Sequence, residues 1–127
     1  MGRLLLLLLI ALGVALYFPR SRDYVLERAD PLADPAYRWM TRQEMRQIAT
    51  DLDFYIEREG RTPLRRGEFD SWLDDRYPEL RSRMDAWGTR YRATQIAGAT
   101  YRIVSAGPDL EFQTSDDLVW DPVAEGN

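Results

Sequence analysis

Cysteine, histidine and lysine are all missing from this chain. Without cysteine there is no disulfide framework, and without cysteine or histidine a structural zinc site has no ligand set. The missing histidine also removes the commonest general base. Long apolar runs are scarce too: Leu4–Phe18 is the only one in 127 residues. Of the seventeen bases, all arginine, Arg3, Arg20 and Arg22 flank that run. Fourteen are left against twenty-one acids, a net of −7 for residues 23–127. Nucleic-acid binding needs a basic footprint, so an acidic body argues against it.

The length leaves room for one domain, with a core that is small and marginal. Four Trp, seven Tyr and four Phe allow that core to be largely aromatic. The fifteen apolar residues Leu4–Phe18 fall short of the roughly 20 that a full membrane helix needs. Tyr17 and Phe18 as interfacial aromatics, with Arg3 and Arg20 snorkelling, make a thin span. Ala11-Leu12-Gly13 and Gly13-Val14-Ala15 are small-x-small steps, so a cleaved secretory signal is the competing reading. Both readings put the body across the inner membrane, in the periplasm or otherwise outside the cytoplasm. On the first reading the chain is single-pass and membrane-bound through residues 4–18. Residues 1–22 are thus read as an anchor or uncleaved signal. Residues 23–40 read as an irregular linker, because Pro19, Pro31 and Pro35 fall in and just ahead of it and no period survives.

A folded domain is expected over residues 41–121, followed by a tail at 122–127. Thr41-Arg42-Gln43-Glu44 reads as a capping box that opens a helix. Met45, Ile48, Leu52, Tyr55 and Ile56 then recur at three- and four-residue steps, giving one apolar stripe. Gly60 suits the left-handed position that ends a helix, and Pro63 blocks continuation. A shorter helix is expected over Glu68–Tyr77, with Phe69, Trp72, Leu73 and Tyr77 on its apolar side and Pro78 closing it. Tyr91–Thr94 and Tyr101–Val104 read as a hairpin, and Leu118–Trp120 as a third strand. The fold class is α+β: one long amphipathic helix and a short one packed on a small antiparallel sheet of about three strands, with the apolar N-terminal helix outside the domain.

Ser105–Asp117 holds four acids and no base among Ser and Thr oxygens. Like charges in one loop repel, and calcium accepts such a mixture of carboxylates, carbonyls and water at about 2.3–2.6 Å. Asp109 on one side and Asp116-Asp117 on the other are placed to close around one ion, with Gly107-Pro108 bending the chain. The spacing is not that of an EF-hand. A solvated loop with Asp caps and turns is the alternative.

Three stretches in order resemble the C-terminal domain of the type II secretion major pseudopilins. They are Tyr55–Pro63, matching a Tyr-x-x-x-x-Gly-x-x-Pro step, and Asp85-Ala86-Trp87-Gly88-Thr89-Arg90-Tyr91, similar to Asp-Pro-Trp-Gly-x-x-Tyr. The third is Ser105-Ala106-Gly107-Pro108-Asp109, closing on Asp116-Asp117-Leu118. The resemblance implies a structural calcium ion held by carboxylates of Asp109, Asp116 and Asp117 and the backbone carbonyl of Ala106, with Glu111 or Thr114 completing the shell. Leu110 and Gln113 stand where the family carries glycine, and a left-handed backbone there costs a bulky residue about 1 kcal/mol or more. The family's glutamate within its N-terminal apolar helix has no counterpart here.

Catalysis is not expected. No base other than a carboxylate is available, and a pair such as Asp85 and Glu111 lacks a cleft for a sugar. No small-molecule substrate is indicated. The reading is a membrane-tethered, non-catalytic extracytoplasmic module with structural calcium, acting on an unidentified envelope protein. The alternatives are a subunit or accessory factor of a type II secretion or pilus-like machine, and a metal-free structural or interaction domain.

Overall fold

The computed structural model describes residues 5–7, 9–11 and 19–122, with side chains for 5–7, 9–11 and from residue 33 onward. The chain divides into two units, Met1–Pro35 and Ala36–Asn127. The first contains helical backbone at residues 5–7 and 9–11, apolar and solvent-facing at Leu5, Leu6, Leu7, Leu9 and Ile10. Leu4, Leu8 and Leu12–Phe18 of the apolar run lie outside the described residues. A long helix α1 (Pro19–Glu59) follows, then α2 (Glu68–Arg76), a 3-10 turn (Leu80–Arg83) and strands β1 (Arg92–Ala97), β2 (Thr100–Ser105) and β3 (Leu118–Trp120). The architecture is α+β, with a long and a short helix on a three-stranded antiparallel sheet of order β1-β2-β3.

Two sequence readings are corrected at the front. Residues 23–40 are helical, not an irregular linker. Pro19 occupies the first helical position, where a missing N–H costs nothing. Pro31 and Pro35 sit inside the helix despite the unfavourable energy of about 3 kcal/mol that each interior proline carries. On the second unit's own stretch of α1, Tyr37 packs edge-on to Trp87 with centroids 6.1 Å apart, and the Arg38 guanidinium lies 5.9 Å from the same ring. These contacts hold helix N-terminal to the supposed start at Thr41. Thr41 is therefore an interior residue, and its capping box does not form. Its buried hydroxyl accepts the Ala86 N–H at 3.2 Å, and Glu44 accepts the Tyr91 hydroxyl at 2.6 Å.

The second correction concerns the membrane. Among the described residues no helix is long and apolar enough to cross one. α1 is long enough but carries charge throughout, which a membrane span does not tolerate. A span needs about 20 apolar residues. The single-pass anchor through residues 4–18 is accordingly withdrawn, and with it the inner-membrane and periplasmic placement.

The core follows the expected stripe. Met45, Ile48, Ala49 and Leu52 of α1 are buried against Phe69, Trp72 and Leu73 of α2, Tyr91, Tyr101 and Ile103 of the hairpin, and Leu118 of β3. Gly60 ends α1 in the left-handed conformation (φ 69°), its N–H bonding the Ile56 carbonyl at 2.8 Å. In the sheet Ile103 pairs with Trp120 and Ser105 with Leu118, so these four share the inward face. Thr94 pairs with Arg102, and Val104 with Val119, on the other face. A register shift between Gln95 and Ala97 precedes the last pair, Ala97 with Thr100, beside the two-residue turn Gly98-Ala99.

Three tyrosines tie the outer elements to acids on α1. Tyr77 donates to Asp51 at 2.5 Å and Tyr91 to Glu44 at 2.6 Å. The Tyr101 hydroxyl lies 2.7 Å from the Asp53 carboxylate and 2.9 Å from the Ala49 carbonyl. Burial first, and then the neighbouring carboxylate, raise all three above the usual tyrosine value of about 10. A raised value favours the neutral phenol in the folded state, so its contribution is intact below about pH 10 and lost as pH climbs beyond that. Urea unfolding midpoints are expected to stay level up to about pH 9 and fall above about pH 10, with Tyr101→Phe showing a shallower fall. Leu52 is fully buried, and Leu52→Ala should lower the unfolding free energy by about 2–5 kcal/mol in the same assay.

Candidate functional site

The turn between the 3-10 helix and β1 is built on Asp85. Its N–H bonds the Thr89 carbonyl at 2.8 Å, and the Gly88 N–H returns to the Asp85 carbonyl at 3.0 Å. The side chain, 5% exposed, accepts N–H bonds from Thr89 at 2.8 Å and Trp87 at 3.2 Å through Oδ1. Oδ2 takes the buried Ser105 hydroxyl at 2.6 Å. Ser105 Oγ in turn accepts the Gly107 N–H at 3.2 Å. One carboxylate therefore joins this turn to the end of β2 and, through Ser105, to the start of the acidic loop. A buried carboxylate is tolerated when its lone pairs are met in this way. The turn's adjoining Ala86 N–H reaches Thr41, which adds α1 to the same junction.

Gly107 opens the loop in a left-handed conformation (φ 73°) with its Cα against the Asp116 backbone carbonyl. A β-carbon there would collide with that oxygen, so the two ends of the loop meet only because residue 107 is glycine. The Leu110 N–H then bonds the Gly107 carbonyl at 3.2 Å.

Inside this closure the carboxylates of Asp109 and Asp117, two of the expected calcium ligands, accept hydrogen bonds from the loop itself. Asp109 Oδ1 accepts the Glu111 N–H at 3.0 Å, and that bond, followed by one from Thr114, holds the Asp109 carboxyl below its usual value. Asp117 accepts the Gln113 N–H at 2.9 Å through Oδ2, and the Thr114 N–H and hydroxyl at 3.5 and 3.4 Å through Oδ1. The Asp116 N–H bonds Thr114 Oγ1 at 3.3 Å, and its carbonyl abuts Gly107. Thr114 Oγ1 also lies 3.4 Å from the Glu111 carbonyl. Ala106 is fully buried, while Glu111 stands in solvent. No group of three acids that could hold a metal ion occurs among the described residues. The calcium assignment to Asp109, Asp116, Asp117 and Ala106, with Glu111 or Thr114, is corrected accordingly. Backbone amides, not a cation, meet the charge of Asp109 and Asp117 in the structure. Leu110 (φ 62°) and Gln113 (φ 71°) are the non-glycine residues with left-handed backbone among those described.

Asp85, set aside in the sequence as half of an acid pair, is closed off by Ser105 and the turn amides, while its supposed counterpart Glu111 is exposed. Sequence reasoning missed its structural role and that of Thr41. A hydroxyl and a backbone N–H 45 residues apart carry no local signal of their meeting at a turn. No protein-family model matches the chain, and no curated protein or solved structure matches it.

Asp85→Ala leaves the buried Ser105 hydroxyl and the part-buried Thr89 N–H without their partner. It is expected to lower the unfolding free energy by about 3–5 kcal/mol in urea titration, whereas Asp109→Ala in solvent should change it by less than about 1 kcal/mol. Gly107→Ala adds left-handed strain to a backbone collision and should cost about 2–4 kcal/mol. A loss near zero for either of the two buried positions contradicts the junction described here.

Proposed function

We propose that residues 36–127 form a metal-free, non-catalytic interaction domain. The observation that carries this reading is the self-closure of the acidic loop: Asp109 and Asp117 serve Glu111, Gln113 and Thr114 amides, and Gly107 locks the loop's two ends together. A loop that meets two of its four carboxylates with its own amides and closes its ends on Gly107 holds its path without an ion. The absence of histidine, cysteine and lysine, with Asp85 buried in structural bonds, supports a role other than catalysis.

The likeness to the pseudopilin C-terminal domain belongs to this proposal for its element order and loop geometry. It is supported by the two positions where that family carries glycine: Leu110 and Gln113 both take the left-handed backbone that glycine adopts freely. A loop of the same path, closed by protein groups instead of a cation, accounts for both the likeness and the departures.

Thermal melting of the whole chain followed by circular dichroism is expected to give the same midpoint in millimolar calcium and in excess chelator. A ligand at a hundred times its dissociation constant adds about 2.7 kcal/mol, several degrees for a domain of this size. An upward shift of that order with calcium would overturn the proposal.

A further inference from the structure

Along the C-terminal end of α1, the connector Gly60–Gly67 and α2 runs an open groove of about 710 Å3. Arg58, Arg61, Arg66 and Arg76 line it, against two acids, Glu68 and Asp75. The sign of this lining is opposite to that of the chain, whose net charge is −4. Three of the guanidinium groups make ion pairs: Arg58 with Glu59 at 3.0 Å, Arg61 with Glu68 at 3.3 Å and Arg76 with Asp51 at 3.0 Å. In each case the arginine side chain is more than half exposed. The Arg58–Glu59 pair, exposed on both sides, is of a kind that contributes only about 0–1 kcal/mol, and a guanidinium has five N–H donors, so each of the three arginines keeps donors for a second carboxylate. Arg66 makes no ion pair among the described residues.

The wall behind the charges is fixed. Tyr55 packs edge-on to Trp72 with ring centroids 6.2 Å apart, and its hydroxyl accepts from Arg61 at 3.4 Å. Trp72 also stacks on Phe69 at 5.8 Å and meets Tyr77 at 6.4 Å. Arginines mounted on a rigid aromatic wall resemble the composition of interface centres, where arginine and the large aromatics are enriched.

We infer that this groove receives an acidic segment of a partner protein, with spaced Asp and Glu side chains engaging Arg58, Arg61, Arg66 and Arg76. This rests on the interaction-domain reading and names the surface and partner chemistry for it. Guanidinium forks match carboxylates in bidentate geometry. Glu68 and Asp75, set among the arginines, repel a ligand charged uniformly along its length, which disfavours polyphosphate and nucleic acid. A peptide with intervals between its carboxylates avoids both acids while reaching the arginines.

The test uses the full chain and a short fluorescein-labelled peptide of alternating Glu and Ser, followed by fluorescence anisotropy at low and physiological ionic strength. Binding is expected, weakening as salt rises. The double reversal Arg58→Glu with Arg66→Glu should reduce affinity at least about tenfold, since each 1.4 kcal/mol of lost interaction is a factor of ten. Both side chains are exposed, so circular dichroism of this variant should match the parent. Arg81→Glu, exposed on the 3-10 turn and outside the groove, should leave affinity within about twofold. The inference is overturned if no peptide binds, if the double reversal binds as well as the parent, or if tripolyphosphate binds the groove more tightly than the peptide. None of those results bears on the calcium-independence of melting, so the groove and the metal-free reading fail separately.

Discussion

A single carboxylate joins three parts of the domain that share no local sequence. The buried Asp85 draws the part-buried Thr89 and Trp87 amides and the buried Ser105 hydroxyl to its two oxygens. The turn it organises presents the Ala86 N–H to Thr41, and Ser105 passes the connection to Gly107. Remove the charge, and the helix, the turn and the end of β2 lose their common anchor, because hydrophobic packing is not directional and does not fix a turn's register. Hydrogen bonds to a buried charge are shorter and stronger than neutral ones, about 1.5–3 kcal/mol each in net terms. Several such bonds on one group are comparable to a large part of the stability of a domain this small.

A second layer of order comes from the charged faces of the helices. Glu44, Asp51 and Asp53 of α1 each receive a tyrosine hydroxyl from another element. At the far end of α2, Arg83 donates to the Tyr77 carbonyl at 2.6 Å and the Pro78 carbonyl at 2.7 Å, serving backbone acceptors that follow the helix. Arg83 and Arg90 both reach Asp74, at 2.9 and 2.5 Å, and together they hold the Asp74 carboxyl below its ordinary value, the Arg90 bond contributing most. Aromatic bodies thus sit in the core while their polar ends reach α1 acids at its margin. That division suits a small core which cannot grow by adding aliphatic residues alone.

The parts of this fold legible in the sequence are those decided by period and by backbone chemistry. Met45, Ile48 and Leu52 fall on one helical face whatever else the chain does, and Gly60 is suited to a helix end by the lack of a side chain. The strands were visible because Ile103 and Val104 are β-branched within a run that changes period. The helix before Thr41 was hidden for the opposite reason: Pro31 and Pro35 carry a strong local penalty that the structure tolerates, while the packing of Tyr37 and Arg38 on Trp87 is set by residues 50 positions away. Thr41 and Glu44 show how a local motif misleads. Both are the right residue types for a cap, and both hydrogen-bond to residues more than forty positions distant.

The acidic loop poses the same question in electrostatic form. Four carboxylates in thirteen residues can be reconciled by an imported charge or by oriented dipoles, and composition does not choose between them. The choice lies in backbone conformation. A left-handed residue turns successive amides toward one side of the chain, the arrangement that makes an anion-binding concavity. Gly107, Leu110 and Gln113 are all left-handed, and the amides near them point at Asp109 and Asp117. Leu110 and Gln113 carry strain on the order of 1–2 kcal/mol each that a glycine would avoid. That strain is the cost of a backbone path whose amide hydrogen bonds to two aspartates offset the repulsion that a cation would otherwise relieve. The amide bonds to Asp109 and Asp117 and the left-handed backbone at Leu110 and Gln113 are therefore one feature of this loop, seen first in its charges and then in its dihedral angles.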